Sequence, residues 1–379
     1  MAGVRGAVLL FVLLSCISLD VRAAQLSPQA RLGRLLFFDA RLSASGRQSC
    51  ASCHDAANAY ATRSQPLGLR AIPSLRYLTE TPRFTRHAYL DRGTEREDLG
   101  PTGGFMADGR ADSLRDQALL PLLDPAEMAN RNIRTLAARL RALSYARDFR
   151  LAFGTMARDA KALVRQAASA LERFEIEDSS FHPYSSRFDR YLRGQLSLSA
   201  DELAGLELFS DPAKGNCAAC HTVATGPQGR PPVFTDYSYH ALGVPRNPAL
   251  QANRDPAFFD LGLCGPVRRD LRREPQYCGY FKTPTLRNVA RRGVFFHNGR
   301  FTTLADVMHF YVERDTDPQR WYPLHDGRPV RFDDLPAAYR GNVDLADAPL
   351  DRQAGATPAL DAAEIARVIA FLGALNDAD

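Results

Sequence analysis

The sequence predicts a mainly α-helical protein in two halves with long ordered loops, and three observations lead there. Strand signals are weak throughout, whereas apolar residues recur at helical spacing in several separate stretches. A helix leading into a C-x-x-C-H segment occurs twice, ending at Cys50-Ala51-Ser52-Cys53-His54 and at Cys217-Ala218-Ala219-Cys220-His221. The chain, 379 residues long and 45% hydrophobic, can bury a sizeable core and is long enough for two domains.

The repeated segment dictates its own chemistry. Two thiols can add across the vinyl groups of a porphyrin, and the imidazole one residue on can become the proximal ligand of the iron. A single C-x-x-C would also suit a dithiol redox pair or half a zinc site. Two complete copies in an exported chain select two covalently bound haem c groups, one held by Cys50, Cys53 and His54, the other by Cys217, Cys220 and His221. The expected fold is therefore two cytochrome c-type haem domains, residues 24–195 and 196–379.

Export is read from residues 1–23, a cleaved signal peptide with Arg5, the apolar run Ala7 to Leu14, and the small residues of Val21-Arg22-Ala23-Ala24. The apolar run is too short to span a bilayer. Leu13-Leu14-Ser15-Cys16 also resembles a lipoprotein signal, and lipidation of Cys16 is the one expected route to a membrane. The destination is the periplasm. There, Cys264 and Cys278 are left once the haem cysteines and Cys16 are assigned, and they are expected to form a disulfide worth about 3 kcal/mol. The formal net charge of +5 falls toward neutrality once haem propionates are counted, so no nucleic-acid partner is expected. Arg268-Arg269-Asp270-Leu271-Arg272-Arg273 reads as a solvated face.

Taken in order, Ser27-Pro28 caps a short helix with Leu32, Leu35 and Leu36 on its stripe. From His54 to about Gly104 the composition predicts loop wrapped around the first haem. Helical patterns return at Ser113–Leu123, Ile133–Leu143 and Ala157–Phe174. A boundary is expected near Arg193 to Ser199, where Ser199 and Glu202 form a capping box ahead of the second haem motif. A Pro-rich stretch then runs to Pro284. A helix begins at Thr302 or Thr303, and the last one opens on an Asp361/Glu364 box.

The sixth iron position decides what each haem can do: filled by the protein, the iron passes electrons; left open, it can bind peroxide. On the helix after Thr303, Leu304, Val307, Met308 and Tyr311 share a face, and Met308, His309 and Tyr311 are all capable ligands. Spacing alone leaves the choice open.

The stretch Phe281-Lys282-Thr283-Pro284-Thr285-Leu286-Arg287-Asn288-Val289-Ala290, followed by Phe296-His297-Asn298-Gly299, resembles the C-terminal signature of the bacterial di-haem cytochrome c peroxidase/MauG superfamily. Asp108-Gly109-Arg110-Ala111-Asp112 and Asp124-Pro125-Ala126-Glu127-Met128 resemble its interhaem and distal-pocket segments. The resemblance implies an enzyme that reduces hydrogen peroxide at the N-terminal haem while the C-terminal haem supplies or stores the second oxidising equivalent. A small redox protein, a c-type cytochrome or a cupredoxin, would be the donor. Two rivals stand beside this: a MauG-like oxidase that modifies residues of a partner protein, and a non-catalytic di-haem electron carrier.

Carried across, the resemblance makes Tyr311 the sixth ligand of the C-terminal haem, with Met308 as the fallback; the peroxidase branch has Met there and MauG has Tyr. A hard phenolate favours the higher oxidation states of iron, a soft thioether the lower. Glu127 matches the distal acid–base residue and Gln117 a nearby polar pocket residue. Read locally, Glu127 also closes an Asp124-Pro125-Ala126-Glu127 capping box.

Departures are informative. Ala107 stands where relatives place an interhaem Trp, and Gly215 where MauG has a surface Trp. The calcium ligand positions are Ala71, Arg292 and Val294, so calcium is doubtful and Arg292 is the candidate to carry the positive charge instead. His297 is expected in a turn at the second haem's edge, and Arg287 either at a propionate or in solvent. His87 is the loop residue that could close the N-terminal site.

Overall fold

The computed structural model describes residues 25–62, 68–92 and 95–378, so the expected signal peptide and Cys16 lie outside the described residues. The chain opens with α1 (Pro28–Phe38), where Ser27 accepts the Ala30 N–H and Pro28 takes the first helical position. The single turn α2 (Cys50–Cys53) carries the first thiol pair. A hairpin of β1 (Thr85–Arg92) and β2 (Glu95–Thr102) follows. Next come α3 (Leu114–Leu123), α4 (Ile133–Ala142), α5 (Ala146–Phe153), α6 (Ala160–Glu177) and α7 (Arg187–Leu192). After α8 (Ala200–Ser210) lie the second thiol pair and two short ladders, β3 (Tyr239–His240) with β4 (Phe281–Lys282), and β5 (Leu324–His325) with β6 (Arg328–Pro329). Helix α9 (Leu304–Glu313) falls between those ladders, and α10 (Ala362–Ala374) ends the chain.

The fold is mainly helical with a few small sheets. Two of the three expected capping boxes close, Ser199 with Glu202 and Asp361 with Glu364, and Cys264 is bonded to Cys278. The β1–β2 hairpin corrects the expectation of loop through to Gly104. Its described flanks, Thr85-Arg86-His87 and Glu97-Asp98-Leu99, are exposed, so no apolar alternation announces strands that pair through their backbones.

Two cores form, each around a crossed helix pair. Leu32, Leu36 and Phe37 of α1 pack with Leu163, Ala167 and Phe174 of α6; Phe209 of α8 packs with Val368 and Phe371 of α10, joined by Met308 and Phe310 of α9. Each crossing hinges on one glycine. A Cβ on Gly33 would lie 1.9 Å from the Ala170 carbonyl oxygen, and a Cβ on Gly205 2.0 Å from that of Arg367. The crossings therefore match residue for residue: Gly33, Ala170 and Phe174 in the first half correspond to Gly205, Arg367 and Phe371 in the second.

The correspondence extends into the loops. Ser74-Leu75-Arg76 and Thr285-Leu286-Arg287 follow Pro73 and Pro284, and the turns Phe105–Ala111 and Phe295–Phe301 close by the same bridge. The two turns also tie the halves together: the Lys282 N–H donates to the Ala107 carbonyl at 2.9 Å, and the Ala71 N–H to the His297 carbonyl at 2.8 Å. Arg70 adds buried ion pairs to Asp108 at 2.7 Å and Asp260 at 2.6 Å, while Asp377 accepts from Arg76, Tyr77 and Asn288.

Two charged residues depart from expectation. Arg287 is not in solvent; it is buried in a two-pronged pair with Asp189 of α7, at 2.7 and 2.9 Å. Within the run 268–273, Arg268 is buried, stacked 3.8 Å over the Phe84 ring and bonded to the Asp108 carbonyl, whereas Arg269, Arg272 and Arg273 remain exposed.

Candidate active site: two haem attachment centres

Both C-x-x-C-H segments fold as a single tight turn, with the histidine N–H donating to the first cysteine's carbonyl at 2.8 Å in each. This brings two thiols and one imidazole to the same side of the chain. The His54 Nδ1 donates to the Tyr60 carbonyl at 2.8 Å and the His221 Nδ1 to the Phe234 carbonyl at 3.0 Å. A carbonyl can only accept, so each Nδ1 carries the proton and each Nε2 presents its lone pair as a metal ligand does. Burial pulls both imidazoles below their ordinary range, which favours the neutral ligand form. The four motif thiols are unbonded, and burial pushes Cys50, Cys217 and Cys220 up to about 12.

The C-terminal centre lies in a largely apolar cavity lined by Cys217, Cys220 and His221 on one side and by α9 on the other. Met308 and Tyr311 both line it, one turn apart. His309 does not, its Nδ1 being held by Glu313 at 2.9 Å. Burial, reinforced by the two haem thiols, raises the Tyr311 hydroxyl above its ordinary value. His297 lines the same cavity, its ring stacked 3.6 Å from Phe281. Arg292 and Ala71 line the same cavity, and the Arg292 Nε is buried without a hydrogen-bond partner. Its guanidinium therefore fits an anionic substituent of the bound group, and the cavity as a whole fits a haem: apolar walls, two thiols, one ligand nitrogen and a waiting cation.

At the N-terminal centre the structure brings Glu127 within electrostatic reach of Cys50 and Cys53, beside His54. Glu127 does not close the expected capping box. Residues 125–128 form a turn after α3, with Asp124 Oδ1 accepting the Ala126 N–H at 2.8 Å. The Glu127 side chain is exposed to solvent at the rim, yet enough protein surrounds it for desolvation to push its carboxyl up to about 7; Asp124 adds to this and Arg110 opposes it. Its charge is felt at both Cys50 and Cys53. Gln117, on α3, is buried with Oε1 lacking a partner. His87 lies on the exposed hairpin, its Nδ1 2.6 Å from an Asp98 carboxylate oxygen.

Helices α3 and α9, which correspond in the two halves, differ at one station. Thr303 caps α9 and Ser113 caps α3 in the same way, each accepting an N–H three residues on. Counting eight residues from each cap reaches Tyr311 in α9 and Pro121 in α3. Sequence reading missed this, although the repeated Phe-x-x-x-Gly-Arg turn ahead of each cap would have supplied the alignment.

The family model for di-haem cytochrome c peroxidase matches residues 27–197. MauG, a methylamine utilization protein of Paracoccus denitrificans, is 34% identical over 300 residues, covering 74% of this chain and 73% of its own. The chain belongs to the di-haem cytochrome c peroxidase family. Among solved structures, the diheme peroxidase BthA of Burkholderia thailandensis superposes with a TM-score of 0.83 at 38% identity, over 93% of this chain and 87% of that one. Cytochrome c551 peroxidase of Nitrosomonas europaea is 28% identical over 284 residues, 74% of this chain and 71% of the relative. As a member of this di-haem family with two complete attachment motifs, the chain binds two haem c groups covalently.

Proposed function

We propose that this di-haem peroxidase reduces hydrogen peroxide at the N-terminal centre and uses the C-terminal centre to supply or store the second oxidising equivalent. The chain is a peroxidase-type oxidoreductase, as its family and its peroxidase relatives establish. The observation that carries the division of labour is the pair Pro121 and Tyr311: α3 offers no side-chain ligand where α9 offers a phenol. When bound, the haems supply iron that exchanges single electrons and, where a coordination position is open, binds peroxide.

The protein's own work is with protons and orientation. His54 and His221 are held in the ligand tautomer by the Tyr60 and Phe234 carbonyls. Glu127, pushed up to about 7, exchanges a proton readily at neutral pH, and so can take it from one peroxide oxygen and return it to the other. Gln117 presents a free amide oxygen toward the same space and orients the substrate. Tyr311 is the C-terminal sixth ligand in this reading, with Met308 one turn away as the fallback.

The domains are residues 24–195 and 196–379, each a cytochrome c-type unit built on one glycine-hinged helix crossing. Covalent haem motifs and the Cys264–Cys278 disulfide suit the oxidising periplasm. A small redox protein is the donor. The test is turnover of peroxide by the holoprotein with a reduced c-type cytochrome or cupredoxin; absence of peroxide-dependent donor oxidation would refute the reading.

One second reading has specific support. Tyr311 and the 34% identity to MauG favour an oxidase that modifies a partner protein. Ala107 and Gly215, which lack the indoles of that electron route, speak against it. A mass change in a partner incubated with enzyme and peroxide would select it. The electron-carrier reading needs a ligand at the N-terminal iron, and His87 is engaged on the exposed hairpin instead.

A further inference from the structure

The wall of the N-terminal centre holds a carboxyl to which nothing above gives a role. Glu175, on the last turn of α6, is 5% exposed, and its Oε2 is buried without a hydrogen-bond partner. The correspondence between halves fixes what it faces. Phe174 of α6 matches Phe371 of α10 at the glycine crossings, so Glu175 stands where the second half has Leu372, which lines the C-terminal haem cavity. Its charge is also felt at the Cys50 sulfur. Gln117, counted from the same caps, matches Val307 of that cavity. The N-terminal site has thus exchanged two apolar wall residues for polar ones.

Among the described residues, no cation answers this carboxyl. On α6 itself Glu172 raises it further while accepting the Arg115 N–H at 3.2 Å. From α3, Arg115 and Asp116 are exposed and lie 3.8 Å from each other. Arg34 of α1 and Arg150 of α5 are exposed, and Arg139 of α4 is bonded to Asn130. Asp178, beyond the helix end, accepts from Ser180, and α2 offers only Cys50. Burial and Glu172 push Glu175 up to about 8 before any haem charge acts on it, and the positive charge of a ferric haem opposes its proton. A neighbouring haem changes its charge by one unit when an electron arrives or leaves, and in a poorly solvated wall that change acts strongly on a carboxyl.

We infer that Glu175 is a redox-linked proton site of the N-terminal haem, binding one proton from solvent as one electron reduces the ferric haem and releasing it when the haem is reoxidised. The electron comes from the one-electron donor that supports turnover and leaves to peroxide, so each cycle of the site moves one electron and one proton together. Peroxide reduction to two waters needs protons as well as electrons, and this pairing spares the site a build-up of charge. The inference rests on the N-terminal centre binding haem.

The test is spectroelectrochemical titration of the holoprotein from about pH 5 to about pH 9, following each haem. The N-terminal potential is expected to fall with rising pH in the native protein. The slope should become shallower in Glu175→Gln and in Glu175→Leu, which copies Leu372, and should be restored in Glu175→Asp. Glu127→Gln should retain a slope. A native potential independent of pH, or an unchanged slope in both Glu175→Gln and Glu175→Leu, overturns the assignment. Haem content separates the two layers. One haem per chain, with the N-terminal motif unmodified, removes the site reading and this inference with it; two haems and an unchanged slope remove Glu175 alone.

Discussion

Pro121 and Tyr311 occupy the same station on corresponding helices, each eight residues beyond a hydroxyl cap, Ser113 for one and Thr303 for the other. The first residue has no ligand atom and the second has a phenol oxygen. Under the proposed function, one repeated architecture would thereby give an open centre and a closed one.

Replacing Tyr311 should change the C-terminal centre and not the N-terminal one. Tyr311→Met is expected to raise the C-terminal midpoint potential, since a thioether favours the reduced iron. Tyr311→Phe should remove the oxygen ligand and alter the optical spectrum, while Met308→Leu leaves it as in the native protein. The reverse pattern would make Met308 the ligand.

Glu127→Gln should lower turnover by about 10²–10⁴-fold, the usual contribution of a positioned acid–base group. Acting first as a base, Glu127 must be ionised, so the rate limb should rise with pH through about 7 and be lost in the variant. Asp124→Asn removes a charge that raises this carboxyl, and should move the limb to lower pH. A limb that stays in place in both variants would assign it elsewhere.

Arg292 lines the C-terminal cavity with no anionic partner among the described residues, and burial pulls it down to about 10. Arg292→Gln is expected to lower the C-terminal midpoint potential, because a positive charge beside the haem favours the reduced state. Metal analysis of the native holoprotein should find no stoichiometric calcium; finding it would return that role to the ion.

The glycine hinges are steric and predict loss of stability. Gly33→Ala or Gly205→Ala drives a methyl into a backbone oxygen and should cost about 1–3 kcal/mol or more in denaturant unfolding of the holoprotein. Gly341→Ala, with open space around it, is the matched control.

Arg287→Met strands the buried Asp189 carboxylate and should destabilise by about 3–5 kcal/mol. The double variant Arg287→Met/Asp189→Leu should recover part of this, less what is lost with the Ser186–Asp189 capping box of α7. No recovery in the double variant would show that packing, not the stranded charge, sets the cost.

The sequence alone determined whatever is written in adjacent residues. Haem attachment needs two thiols and an imidazole within five positions, and the Ser199–Glu202 and Asp361–Glu364 boxes need partners three apart. The family resemblance came from similarly local strings, and the comparisons bear it out. Long-range placement was left to the tertiary structure. The β1–β2 hairpin lacked an apolar face to reveal it, and Arg287 met Asp189 across 98 positions. The Asp124–Glu127 box read as a cap became a turn because the chain leaves α3 there and packs Met128 into the core. Glu127 and Glu175 acquire their raised values by desolvation, a property of everything folded around a carboxyl rather than of its neighbours in the chain. That is why the haem attachment segments were legible from the sequence, while the raised values of these two carboxyls appeared only in the folded chain.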